Sequence, residues 1–180
     1  PMAPLTIPSL LPSTDFYLAS GTVTVDRLLR KVLIIRERGT SAYQLPRGRK
    51  DWSEALEATA ARETFEETGV RCALLPVPLS TRATPPSGRQ HAQPPPGSGG
   101  DVRLTEPFAL MQHQQPCGAL SVVLWFVGEA DSAAPAAEGT QMADEDYEAR
   151  WVDYAEAAAL MADNGDYAEV VRRALRLVEA

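Results

Sequence analysis

Residues 48–70, GRKDWSEALEATAARETFEETGV, decide how this chain folds. Asp51 or Ser53 can accept the free amides that open a helix, and Asp51 with Glu54 has capping-box spacing. The helix is expected to run over residues 54–68 and to stop at Gly69, a residue that takes the left-handed conformation easily. At about 100° per residue, Glu63 and Glu67 lie about 40° apart on one face, and Glu66 about 60° to one side of Glu63. Three carboxylates therefore converge within one turn. Ala58, Ala61, Thr64 and Phe65 cover much of the other side, which is expected to face the core. Like charges at this spacing destabilise a bare helix. Either the acids form a solvated face, or something compensates them. A hard divalent cation does so through oxygen ligands, and Arg62 can pair with Glu54 or Glu66.

Upstream of this helix, residues 16–25 (FYLASGTVTV) and 32–35 (VLII) are rich in β-branched side chains and read as strands. Residues 26–31 turn the chain between them. Residues 44–46 form a short extended piece entering a polar loop, 47–51. Residues 1–15, with Pro4, Pro8 and Pro12, read as a flexible lead-in. Downstream, residues 70–79 read as a strand weakened by Pro76 and Pro78. Residues 81–105 are Pro-, Gly- and Ser-rich, the composition of a flexible insertion. Strand character returns at 107–112 and 120–127. An Ala- and acid-rich loop at 131–139 and a short strand at 149–152 follow. Two helices close the chain. In the second, Tyr167, Val170, Val171, Ala174, Leu175 and Val178 form one apolar stripe that should pack on the sheet. The irregular alternation predicts a single α/β domain over 16–180, a mixed β-sheet sandwiched between helices.

The 180 residues carry a formal net charge of −7 and a pI near 4.9. That balance disfavours nucleic acid and anionic lipid as partners. No stretch approaches the roughly 18 consecutive apolar residues of a membrane span. Cys72 and Cys117 are isolated, which fits a reducing compartment. The N-terminus lacks the pattern of a secretory signal. A cytoplasmic location, with the nucleus as an alternative, is the expectation.

Gly48, Glu54, Arg62, Glu63, Glu66, Glu67, Gly69 and Val70 stand in the register G-x5-E-x7-R-E-U-x-E-E-x-G-U, where U is aliphatic. This pattern resembles the Nudix box. Thr64 departs from it; its methyl can still pack, and its hydroxyl can bond back to a helix carbonyl. The resemblance implies a Nudix fold (α/β/α) and a metal-dependent hydrolase that cleaves a phosphoanhydride bond. It implies Glu63, Glu66 and Glu67 as ligands of Mg²⁺ or Mn²⁺, with Glu66 also able to take a proton from the attacking water. Arg62 would hold the helix edge against the preceding loop. Some members use a glutamate outside the box, and here Glu145, among Asp144, Asp146 and Glu148, is the choice, against a plain exposed acidic loop. A Nudix module that binds ligand without catalysis is the alternative to an enzyme.

The substrate would be a small polyphosphate. Arg47, Gly48, Arg49 and Lys50 place three cations beside a helix start, the makings of a phosphate cradle. That favours a highly phosphorylated molecule, a diphosphoinositol polyphosphate or a dinucleoside polyphosphate, over a compact one of the ADP-ribose type. An enzyme acting on RNA ends would need a long basic groove, which the net charge argues against. Arg82, Arg89, His91 and Arg103 could make the insertion a lid, or it could be a loop without a role. Tyr43 and Trp52 flank the basic loop and could stack on a base. Trp125 reads as core, and His91 and His113 are too isolated to suggest a metal site.

Overall fold

A computed structural model describes residues 10–83 and 103–180. Strand β1 (Phe16–Asp26) is the centre of the sheet. It forms a hairpin with β2 (Lys31–Glu37), Val25 facing Val32 and Asp26 facing Lys31. Its other edge runs parallel to β9 (Leu120–Glu129), from Phe16 opposite Leu120 to Val25 opposite Glu129. Beyond β2 lies β10 (Tyr147–Asp153), antiparallel; beyond β9 lie β5 (Ala73–Leu74) and β8 (Ala109–Gln114). Short strands β3 (Tyr43–Gln44) and β4 (Arg47–Arg49) add to β2 and β1 respectively.

Side chains alternate across a strand, and β1 uses both of its faces. Ala19, Val23 and Val25 enter an apolar core with Val32, Ile34, Trp125 and Val127. Helices α2 (Tyr154–Leu160) and α3 (Gly165–Val178) cover that face. The apolar stripe of α3 packs as its periodicity requires: Tyr167, Val170, Val171 and Ala174 are buried, with Leu175 and Val178 half-buried at the edge. The opposite face of β1 carries Ser20, Thr22 and Thr24, all buried, and here α1 (Leu56–Thr68) lies. Thr64 Oγ1 donates to the Ala60 carbonyl at 2.8 Å and meets Thr22 Oγ1 at 2.7 Å, which in turn meets Thr24 Oγ1 at 2.7 Å. With the Thr64 proton on the carbonyl, Thr22 must donate to Thr64 and Thr24 to Thr22. The hydroxyl at the departing box position is thus one link in a satisfied buried chain.

Several expectations need correction. The core-facing side of α1 is the acidic one: Thr59, Ala60, Glu63, Thr64, Glu67 and Thr68 are buried, Ala58 is exposed, and Ala61 and Phe65 are half-buried. The sheet face beneath is lined by hydroxyls, so a polar helix face is its match. The helix also begins later, at Leu56, with Ala55 as N-cap and no side-chain cap. Glu54 still accepts the Asp51 N–H at 2.9 Å, but that reciprocal half of the capping box closes a turn before the helix. Finally, residues 47–49 are strand rather than loop, and 70–79 form two fragments, β5 and β6 (Val77–Pro78). Pro76 cannot donate to a ladder, which accounts for the break. Strand β6 pairs with β7 (Arg103–Leu104), so the C-terminal end of the 81–105 segment is strand. Residues 84–102 of that segment, with Arg89 and His91, and residues 1–9 of the lead-in lie outside the described residues. Among the described residues no helix is long and apolar enough to cross a membrane.

Asp26 fastens the β1–β2 hairpin to the segment after β9. Its carboxylate accepts the Leu29 N–H and the Ser132 N–H, each at 2.9 Å. The Leu29 and Ser132 bonds hold its pKa down from 3.8 to about 2. A carboxylate depressed on folding stabilises above its unfolded pKa and loses that contribution as pH falls through the folded value. Asp26→Asn presents an amide donor to one of these N–H groups, so it is expected to cost about 1–3 kcal/mol at pH 7. The difference from wild type should shrink as pH approaches 2, read by urea unfolding across that range.

Candidate active site

Arg62 organises the acids around it. Its Nε donates to Glu54 Oε1 at 2.8 Å and its Nη2 to Glu54 Oε2 at 2.9 Å, a two-pronged pairing. Nη1 reaches Glu63 Oε1 at 2.7 Å and Glu66 Oε2 at 2.8 Å, and Nη2 also reaches the Arg49 carbonyl at 2.9 Å. A guanidinium has five N–H donors in a fixed plane, and the geometry here uses all of them. The Arg62 bond, with the Asp51 N–H and the Thr59 hydroxyl, holds the Glu54 pKa down to about 2. Arg62 therefore ties the helix to the preceding turn and to β4, and carries Glu63 and Glu66 with it.

Glu63 and Glu67 lie inward, at 8% and 5% exposure. Burial pushes the Glu67 carboxyl up to about 8; the charges of Glu63 and Glu145 add to the rise, while the Arg47 N–H, which donates to Glu67 Oε2 at 2.9 Å, opposes it. Burial raises Glu63 as well, against the pull of Arg62. Two neighbouring buried carboxylates, Glu63 paired with Arg62 and Glu67 held by a backbone N–H, suit a hard cation by the chemistry of their oxygen donors. Yet among the described residues no three acids are gathered into a ligand set, because Arg62 draws Glu63 and Glu66 toward itself. Glu145 is half-buried, and its carboxylate accepts the Met142 N–H at 3.0 Å. Its charge adds, after burial, to the rise of both Glu63 and Glu67.

Gly48 lies against Glu63 so closely that a Cβ would stand 2.0 Å from Oε2. Gly48→Ala must displace that carboxylate from Arg62. We expect kcat to fall at least about tenfold, about 1.4 kcal/mol of barrier, in a protein whose circular dichroism is unchanged. The same contact decides where the cations point. Neighbours of Gly48 on β4 project to the opposite face, away from Glu63. Arg47 Nε there donates to the Tyr167 hydroxyl at 3.3 Å. It lines a cavity of about 730 Å³ with Tyr43, Gln44, His113, Asn164 and Tyr167. Arg49 stacks on the Tyr17 ring, 4.1 Å from its centroid, and Lys50 Nζ donates to the Asp51 carbonyl at 2.8 Å. Arg47 and Arg49 share that face of β4 and Lys50 follows the strand, so the three cations expected as a cradle have separate partners here: the Tyr167 hydroxyl, the Tyr17 ring and the Asp51 carbonyl.

The sequence reading missed the double position of Tyr167, whose ring joins the α3 stripe while its hydroxyl meets Arg47. It also set His113 aside, though His113 lines the cavity. Nothing in their local spacing marks either. Of the aromatic candidates, Tyr43 lines the cavity, Trp52 is fully exposed, and Trp125 is fully buried, edge-on to Tyr167 at 5.8 Å between ring centroids.

The sequence matches the NUDIX domain family over residues 18–174. Among solved structures, an Ap4A hydrolase from C. elegans in a binary complex is similar at 13% identity and a TM-score of 0.60, over 91% of this chain and 98% of that one. A NUDIX hydrolase from Nitrosomonas europaea is similar at 16% identity and a TM-score of 0.57, over 89% and 88%. The MutT protein of Methanosarcina mazei Go1 is similar at 14% identity and a TM-score of 0.56, over 92% and 96%. At such identities the likeness is one of fold.

Proposed function

The chain belongs to the NUDIX family and is a pyrophosphohydrolase acting on a small phosphate-containing molecule; from that premise we propose that it cleaves a phosphoanhydride bond in a dinucleoside polyphosphate. The observation that carries this reading is the position of Arg47. Its backbone N–H bonds Glu67, while its side chain lines the cavity across β4. A ligand with an aromatic, hydrogen-bonding group in that cavity can run its phosphates past Arg47 to the acids. The lining suits a nucleoside: Tyr43 offers a ring, and Gln44 and Asn164 offer amides. A diphosphoinositol polyphosphate would instead call for converging cations, and Arg49 and Lys50 are engaged elsewhere.

Glu63, Glu66 and Glu67 would hold Mg²⁺ or Mn²⁺, which when bound acidifies water and offsets charge on phosphate oxygens. Arg62 keeps Glu63 and Glu66 on their edge of the helix. Glu145, on the loop above them, is the base we assign to the attacking water. Arg47 orients the phosphate chain between cavity and acids.

Turnover of diadenosine tetraphosphate, ADP-ribose and a diphosphoinositol polyphosphate, each with Mg²⁺ and with Mn²⁺ and products read by phosphorus NMR, tests the assignment. The highest kcat/KM is expected for the dinucleotide. A preference for the inositol compound would overturn it, and one for ADP-ribose would restrict the cavity to a single nucleoside diphosphate. Arg49→Ala with Lys50→Ala is expected to change kcat/KM on the dinucleotide by less than about threefold. Had both cations gripped phosphate, each lost charge-assisted bond would cost roughly 1.5–3 kcal/mol.

A further inference from the structure

The last carbonyls of a helix have no partner within it, and those of α1 are taken up in a particular way. The Gly69 N–H bonds the Phe65 carbonyl at 2.8 Å. The Thr140 hydroxyl donates to the Glu66 carbonyl at 2.8 Å, and Gln141 Nε2 donates to the Glu67 carbonyl at 3.0 Å. Gln141 then grips Tyr147 at both backbone groups. Its Nε2 donates to the Tyr147 carbonyl and its Oε1 accepts the Tyr147 N–H, each at 2.9 Å. One side-chain amide thus joins the helix end that bears Glu66 and Glu67 to the first residue of β10. The turn it spans holds Glu145, whose N–H bonds the Met142 carbonyl at 3.1 Å while its carboxylate returns to the Met142 N–H.

We propose that Gln141 is a positioning residue that fixes the Glu145 turn over the buried acids, so that the base and the acidic helix move as one unit. The inference rests on the role given above to Glu145. A turn of exposed residues such as Met142, Ala143 and Asp144 has little packing to place it. Thr140 and Gln141 supply the placement by hydrogen bonds. Gln141 touches neither cavity nor carboxylates in this role; it acts through Glu145.

A double-mutant cycle separates this from general structural support. Gln141→Ala should lower kcat about tenfold with KM within about twofold, and amide exchange at Met142 should quicken as the turn is released. Glu145→Gln should lower kcat at least as far. In the Glu145→Gln background, Gln141→Ala should have no further effect on kcat. An additive loss in that background would overturn the inference alone, since Gln141 would then act elsewhere. Unchanged Met142 exchange in Gln141→Ala would also overturn it. A Glu145→Gln enzyme with wild-type kcat would remove the role of Glu145 and this inference with it. Should Gln141→Ala fail to fold, Gln141→Glu keeps the acceptor for Tyr147 and removes both donors, and the same cycle applies.

Discussion

Glu67→Gln is expected to lower kcat at least about a hundredfold, about 2.7 kcal/mol of barrier, in a protein that is as stable as wild type or more so. Two features of the site set these opposite signs. Glu67 is 5% exposed, and burial together with the charges of Glu63 and Glu145 pushes its carboxyl up to about 8. An ionised carboxylate there is costly to the free protein, and glutamine removes the cost at nearly constant volume. The amide oxygen can still accept the Arg47 N–H. What is lost is an anionic ligand, the one property a divalent cation requires. Added Mg²⁺ should raise the Tm of wild type by binding the folded state, and that rise should shrink in the variant. Turnover and melting, each with and without Mg²⁺, check both halves. A variant keeping more than about a tenth of wild-type kcat, within 1.4 kcal/mol of the original barrier, would remove Glu67 from the metal site. Glu57→Gln, in the exposed first turn of α1, serves as the control and should match wild type.

That burial of Glu67 could not be read from the helix alone. Periodicity placed the three glutamates together, and the spacing of the box residues pointed to the family; both depend only on order along the chain. Which side of α1 faces inward depends on the sheet beneath it. Ser20, Thr22 and Thr24 hint at the answer, since alternate residues of β1 carry hydroxyls while Ala19, Val23 and Val25 are apolar. A polar helix face against that wall is consistent, but it requires knowing that the two elements pack. Similarly, RGRK is a cluster of cations in one dimension. Once residues 47–49 pair with β1, alternation sends Arg47 and Arg49 away from Gly48 and Glu63. The cavity gathers residues as far apart as Tyr43, His113 and Tyr167, and only the folded chain defines it.

Arg62→Lys should be nearly as damaging to turnover as the loss of a glutamate, although it keeps the positive charge. Lysine offers three donors from one point, whereas the site uses five from a planar fork. An ammonium cannot hold both Glu54 oxygens, Glu63, Glu66 and the Arg49 carbonyl at once. It must give up at least two of these five bonds, so either Glu63 or Glu66 is freed to turn toward solvent, or the turn carrying Glu54 and strand β4 loosen from the helix. A fall in kcat of about a hundredfold is expected, with about 1–3 kcal/mol of lost stability, since hydrogen bonds to charged groups contribute about 1.5–3 kcal/mol each and some are retained. The division between constants is the sharper test. Arg62 bonds the acids and not the residues lining the cavity, so KM for a dinucleotide should move by less than about threefold, under 0.7 kcal/mol. If KM rises steeply while kcat holds, Arg62 binds substrate phosphate directly, and its engagement with the four protein partners is a resting arrangement that the ligand breaks.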